Sequence, residues 1–147
     1  MSKPKLNLGE LDKLASRLES KADTILSDAV ESFLLEMAFR FEAKVKNRTP
    51  VGDVDGGTLR ANWKVGSVTK KGSSYLIEVY NPTAYAAFVE YGHRQTPGRF
   101  VPAIGKRLKN SWVEGSFMAT ISAKELEREM PGHLKGFRDK LVARIKQ

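Results

Sequence analysis

Apolar side chains in the first third of the chain recur at three- and four-residue steps. They fall at Leu11, Leu14, Leu18, Ala22, Ile25, Leu26, Ala29, Val30, Phe33, Leu34, Met37, Phe41 and Val45. That is the helical period, and it predicts one long helix over residues 7–48. Asn7 followed by Glu10 resembles a capping box at its start. Thr49-Pro50 ends it, because the residue before a proline is pushed out of the helical region. A helix of about forty residues is several times the usual length, and Ser20 or Ser27 would be the place for a break. Its single apolar stripe requires a cover from a sheet, a C-terminal helix or a neighbouring subunit.

The pattern then changes. Pro50, Gly52, Gly56 and Gly57 predict a loop over 50–58. Alternation at Ala61, Trp63 and Val65, and again at Tyr75, Ile77 and Val79, predicts two strands, 59–69 and 74–80. Lys70-Lys71-Gly72-Ser73 would be the hairpin tip between them. Asn81-Pro82 stops the second strand, and Thr83 is suited to cap a short helix over 84–91 that Gly92 closes. Residues 93–115 read as an exposed basic loop, with short strands at Phe100-Val101 and Ser111-Trp112-Val113. Helical spacing returns from 116. Ser122 with Glu125 is a second capping-box pattern, either a helix start or a position inside a helix begun at Ser116. Pro131-Gly132 predicts a break or kink, and Leu134, Phe137, Leu141 and Ile145 carry the helix to the end. The sum is a single α+β domain over 1–147, with a long N-terminal helix and a C-terminal helix packed on a small, mainly antiparallel β-sheet.

Composition adds constraints. A chain of 147 residues suffices for one domain with a buried core. The absence of cysteine excludes disulfides and thiolate metal sites. Met1-Ser2-Lys3-Pro4-Lys5 is a basic start without an apolar h-region, which argues against a secretory signal. No run of about 18 apolar residues predicts a membrane span. The net charge is +8, and residues 49–110 supply most of it, with nine basic and four acidic side chains. A positive face there would suit DNA or an acidic protein partner; the simpler alternative is a solvated surface that maintains solubility.

Candidate chemistry is sparse. Asp53-Val54-Asp55-Gly56 resembles the start of a calcium loop, but the twelfth position from Asp53 is Lys64 where a glutamate is required, so it reads as a polar turn. His93 and His133 are the only histidines, too few for a zinc site without cysteines. Glu90 and His93 have the spacing of an acid–base pair on one helix face; the simpler reading pairs Glu90 with Arg60 or Arg94. Gly56-Gly57 precedes a strand and lacks the lysine of a phosphate loop. No catalytic residue, metal or cofactor is therefore expected. Arg94, Arg99, Lys106, Arg107 and Lys109 cluster beside Phe100 and Trp112, a combination able to grip a nucleic-acid backbone without sequence preference. Tyr85, Phe88, Val89 and Tyr91 crowd one short helix, which suits the core and also a subunit interface.

Several of these segments together resemble one family. Thr49-Pro50-Val51, Gly57-Thr58-Leu59-Arg60 with Trp63, Asn81-Pro82, Tyr85-Ala86 and Phe88-Val89-Glu90-Tyr91-Gly92-His93 resemble the tail-component family of tailed bacteriophages. So does Trp112-Val113-Glu114-Gly115-Ser116-Phe117-Met118, running into Ile121-Ser122 and Glu125-Leu126-Glu127. The resemblance implies the α+β fold above. It also implies a non-enzymatic virion protein, assembled in the host cytoplasm, acting in head–tail joining or tail completion as a ring at the neck or tail end. Its partners would be a connector, tail tube or terminator, and copies of itself, sixfold by analogy. Arg60, Trp63, Tyr85, Phe88, Glu90, Tyr91, Gly92 and Trp112 would be interface or structural positions. Lys70, Lys71, Arg94, Arg99, Lys106, Arg107 and Lys109 would face a DNA channel or an acidic neighbouring ring. Gly52–Gly56 is longer than the family's common Asp-Thr-Gly form, and Arg94–Asn110 is a wider spacer than a minimal member carries. Two other readings compete: a basic nucleic-acid-binding module, and a small hydrolase or nuclease built on Asp53, Asp55, Glu90 and His93.

Overall fold

A computed structural model describes residues 9–52 and 56–147, and side chains from residue 21 onward. Helix α1 spans Gly9–Arg48 without a break. There is no break at Ser20 or Ser27, and the Ser27 hydroxyl lies 2.9 Å from the hydroxyl of Tyr75. Asn7 of the capping box and the calcium-loop carboxylates Asp53 and Asp55 lie outside the described residues, as does the side chain of Glu10.

The first predicted strand begins later than expected. Thr58–Ala61 forms a helical turn, α2, entered through Gly57 at φ +92°. Only then do β1 (Lys64–Val65), β2 (Thr69–Lys71), β3 (Ser74–Leu76) and β4 (Val79–Tyr80) follow. The reason is tertiary: Leu59 is turned fully into the core, and its carbonyl accepts from the side-chain amide of the distant Asn81 at 2.7 Å. β1 pairs with β4 and β2 with β3, both antiparallel, and Gly66 N–H to Glu78 carbonyl (2.8 Å) joins the two ladders into one hairpin. Tyr75, Ile77 and Val79 face inward as the alternation predicted. Lys70 and Lys71 are in β2, so the tip is Gly72-Ser73, with Gly72 at φ +59°.

Helix α3 is Ala86–Tyr91, two residues shorter at its start than expected. Thr83 does not cap it by its side chain. Instead Asn81 Oδ1 accepts from the Thr83 amide at 3.0 Å, and the Thr83 carbonyl accepts from Ala86 N–H at 3.0 Å. Gly92 closes α3 at φ +83° as predicted.

The predicted basic loop is an ordered hairpin arm. β5 (Gly92–Arg94) pairs with β8 (Trp112–Glu114), and β6 (Phe100–Val101) pairs with β7 (Lys106–Arg107). Between them Gln95 N–H bonds the Ser111 carbonyl (3.0 Å) and Gly98 N–H the Leu108 carbonyl (2.7 Å). The tip is a single 3₁₀ turn, Pro102–Ile104, released by Gly105 at φ +62°. Among the described residues the β-structure is thus four antiparallel pairs rather than one continuous sheet.

Helix α4, Met118–Ile145, runs antiparallel along α1 and is its main cover. It contains Ser122 and Glu125, so that capping-box pattern is interior. It also passes through Pro131 without a break. An interior proline costs a helix about 3 kcal/mol, but α1 grips α4 on both sides of it. On one side Lys44 reaches Glu125 (2.9 Å) and Glu129 (2.7 Å), with Arg48 also paired to Glu125. On the other, the Phe33 and Phe137 rings meet at 4.9 Å. The core at the far end of α1 is Val45, Leu59, Trp63 and Met118, with Phe41, Val79, Tyr85, Ala86, Val89 and Ala119 against it.

The Lys44–Glu125–Glu129 lock has a pH signature. Hydrogen bonds from Lys44, and for Glu125 also from Arg48, lower both carboxyl pKa values below the ordinary range. Glu129 and then Glu125 raise that of Lys44. Depressed carboxylates contribute stability above their unfolded pKa and lose it as pH falls through the folded one. The raised lysine contributes below its unfolded pKa and loses its share as pH rises through the folded one. Thermal melting should therefore weaken on the acid side in the carboxylate range. In the double variant Glu125→Gln, Glu129→Gln that acid-side slope should be shallower, as read by circular dichroism across pH; an unchanged slope would remove the lock from the account.

Candidate functional site

Two ties hold the middle of the chain, and both begin with buried polar groups. The first is Thr49, fully buried where α1 ends. Its hydroxyl donates to the Val45 carbonyl at 2.6 Å and accepts from the Trp63 indole N–H at 2.8 Å. Its carbonyl accepts from Arg60 Nε (3.1 Å) and Nη2 (2.8 Å). Arg60 and Trp63 thus converge on one residue, and a buried indole finds the partner it requires.

The second tie is Glu90, 6% exposed on α3. It does not pair with Arg60 or Arg94. Its Oε2 accepts from Ala119 N–H (2.8 Å), and its Oε1 accepts from Thr120 N–H (2.9 Å) and the Thr120 hydroxyl (2.6 Å). Those amides are the first-turn donors of α4, which lack a partner within the helix. No side chain of α4's own N-cap residue, Phe117, does this work, and its first turn carries no acidic residue. Glu90 is a cap delivered from another helix, a carboxylate at the positive end of the α4 dipole.

The backbone around Glu90 is equally close. The Val89 carbonyl accepts from Ser116 N–H (2.8 Å) and Oγ (3.1 Å), and the Glu90 carbonyl from Phe117 N–H (3.0 Å). A Cβ on Gly115 would overlap the Glu90 carbonyl and lie 2.6 Å from Tyr91 C and 2.8 Å from Gly92 N. A Cβ on Gly92 would meet the Val113 carbonyl and lie 2.9 Å from both Gly115 N and Trp112 Cζ2. Only glycines allow Glu90-Tyr91-Gly92 and Glu114-Gly115-Ser116 to touch. The seam roots the hairpin arm on α3 and α4.

This arrangement sorts the residues expected to matter. Arg60, Trp63, Tyr85, Glu90 and Gly92 are internal ties. Helix α3 divides by its period: Tyr85 and Val89 pack on the core, whereas Phe88 and Tyr91 are 56% and 63% exposed. Trp112 is half-buried at the arm's root, over Gly92. Phe88 lies 5.7 Å, ring to ring, from His93. Arg94, Arg99, Lys106, Arg107 and Lys109 all lie on the exposed arm. Arg107 donates to the Gly98 carbonyl at 2.7 Å and lies over the Phe100 ring at 5.9 Å. Lys70 and Lys71 lie on the other hairpin, Lys70 over the Tyr75 ring at 5.3 Å. The roles of Thr49, Gly115 and Ser122 were not foreseen. Ser122 Oγ donates to the Met118 carbonyl (2.6 Å) and accepts from Arg48 Nη1 (3.3 Å). The signal for Thr49 was present in its place between helix and proline, with Trp63 nearby.

The acid–base reading of Glu90 and His93 does not fit this geometry. Both Glu90 oxygens are taken by α4, while His93 is in β5 against Phe88. Among the described residues no group of three or more His, Cys, Asp or Glu is placed to hold a metal ion. No helix among them is long and apolar enough to cross a membrane.

The segment that carries α1 through α3, residues 12–92, matches the HK97-gp10-like family model, described as "Bacteriophage HK97-gp10, putative tail-component". The match covers more than half of the chain. The chain belongs to the HK97-gp10-like family. The family description places its members among phage tail components, and so in the virion. No curated protein and no solved structure matches the chain. The Thr49 tie lies wholly inside the matched HK97-gp10-like segment. The match ends at Gly92, where the arm begins, so the matched segment holds α4 both through α1 and, at the first turn of α4, through Glu90.

Removing that hold should be costly. Glu90→Ala should lower stability by about 2–3 kcal/mol, because it leaves first-turn amides without their charged acceptor. Glu90→Gln, which keeps one acceptor, should cost about half as much. Urea denaturation would show the midpoint falling with the slope unchanged. An alanine variant within about 0.5 kcal/mol of the parent would mean that the cap is dispensable.

Proposed function

We propose that this tail component is a structural, non-catalytic subunit of a ring at the neck or head-proximal tail end, acting in head–tail joining or tail completion. The observation that carries the reading is the pairing of a stiffly rooted frame with an outward aromatic face. Phe88 and Tyr91 stand exposed on the helix whose Glu90 is locked into α4. Trp112 and Val113, on opposite faces of β8, add further exposed apolar area to the arm. Exposed aromatics on a rigid support are what protein interfaces use as anchors. The partners would be neighbouring copies and other neck or tail proteins such as the connector, tail tube or terminator, in a ring that is sixfold by analogy.

The arm's cations support a second contact, nonspecific and electrostatic, with DNA passing through such a ring. Affinity of that kind falls steeply with salt and ignores sequence. It would accompany assembly rather than replace it.

Disruption of the gene in its phage, with the lysate viewed by negative-stain electron microscopy, tests the reading. Separate full heads with unjoined or overlong tails are expected, and tail length would tell joining from length control. Normal, complete particles would overturn the structural role; tight duplex binding by the purified protein would then favour the nucleic-acid-binding module.

A further inference from the structure

We infer that the distal half of the hairpin arm docks on the outer face of α1 of a second copy of this chain, a head-to-tail contact that rests on the assembly role proposed above.

The receiving surface is a stripe on α1. Asp28, Glu31, Leu35 and Phe39 are spaced by three, four and four residues, which places them on one face of a helix. All four are exposed, Phe39 by 55%. The other sides of α1 are used: Phe33 and Lys44 meet α4, and Val45 enters the core. The stripe is therefore acidic at one end, apolar at the other and uncovered. Among the described residues Asp28 and Glu31 join no salt bridge, unlike Glu36 and Glu42 of the same helix, which pair with Arg40 and Lys46.

The arm carries the opposite character. Its distal pair, β6 and β7, packs mainly on itself. Phe100 and Ile104 are about half exposed there, flanked by Arg99 and Lys106. Arg99 and Lys106 also join no salt bridge among the described residues. A basic, apolar hairpin end and an acidic, apolar helix face complement each other in both charge and polarity. Within one chain the arm is rooted at the α3–α4 seam and its end is engaged with itself, so the complementary surfaces meet between copies. Two different patches in contact make a heterologous interface, which closes into a ring when the rotation allows. The charges would steer and register the contact, while Phe39, Leu35, Phe100 and Ile104 lose exposed apolar surface.

Charge exchange in the phage tests the inference. Arg99→Glu with Lys106→Glu should lower the titre of tailed particles by about tenfold or more, since like charges then face each other. Asp28→Lys with Glu31→Lys should do the same. Combining all four substitutions restores opposite charges and should recover most of the loss. Melting curves of the purified variants, unchanged from the parent, confirm that folding is intact. The chain has no cysteine, so particles carrying Phe39→Cys and Ile104→Cys together should yield covalent multimers on oxidation, and neither substitution alone should. Titre unaffected by either pair, no recovery in the combined variant, or no multimers from the double-cysteine particles would each overturn the docking. None of these would touch the assembly role itself, which fails only if particles form without the gene.

Discussion

The carboxylate of Glu90 is the constraint on which the rest of the fold depends. Helix α4 starts from Phe117, a non-glycine residue held at φ +49°, with no side-chain cap of its own. That is an unfavourable way to begin a helix. The donors it leaves open are met by a buried acid from α3, and the acid in turn is buried only because those donors surround it. With this pair in place, Met118 at the start of α4 sits in the core beside Val45, Leu59 and Trp63. The direction of α4 is then set, and its next turns bring Ser122 and Glu125 to Arg48 and Lys44. The proline in α4 is tolerated within this frame because contacts with α1 lie on both sides of it.

How much of this was legible in the chain depended on whether a signal was local. The helical period along α1 and the alternation in Tyr75, Ile77 and Val79 are properties of neighbouring residues, and both were readable. The glycine stop of α3 was readable for the same reason. Alternation through Trp63 and Val65 places Leu59 in a strand when the sequence is read alone. What turns it into a helical bend is the amide of Asn81, more than twenty residues away. Glu90 has no local marker either: its partners lie near residue 119, and a charged residue near arginines suggests a salt bridge. In the arm the short strands at Phe100-Val101 and Trp112-Val113 were readable, but their partners β5 and β7 were not, because they are two or three residues long and basic residues mask the alternation.

The distinction between ties and surfaces also sorts the residues of the segment that matches the family. Thr49, Arg60, Trp63, Asn81, Glu90 and Gly92 all act inside the molecule, joining one segment's side chain to another's backbone or permitting two backbones to touch. They define a fold. The exposed residues Phe88, Tyr91, Phe100 and Ile104 contribute little to that frame, so what they are for must be sought outside a single chain.

A monomer that exposes such aromatics needs a reason not to aggregate, and its charge supplies one. At +8 over 147 residues, copies repel one another at long range. Most of the excess lies in the segment that includes the arm, so repulsion is strongest near the surface most prone to stick. On the proposed reading that protection is lifted only where an acidic surface is presented in the right place, by α1 of a neighbour or by a tail partner. The same lysines and arginines that hold free copies apart would thus register them in the particle, and the stiff α3–α4 seam ensures that the arm arrives at that contact already folded, so that little ordering entropy opposes docking.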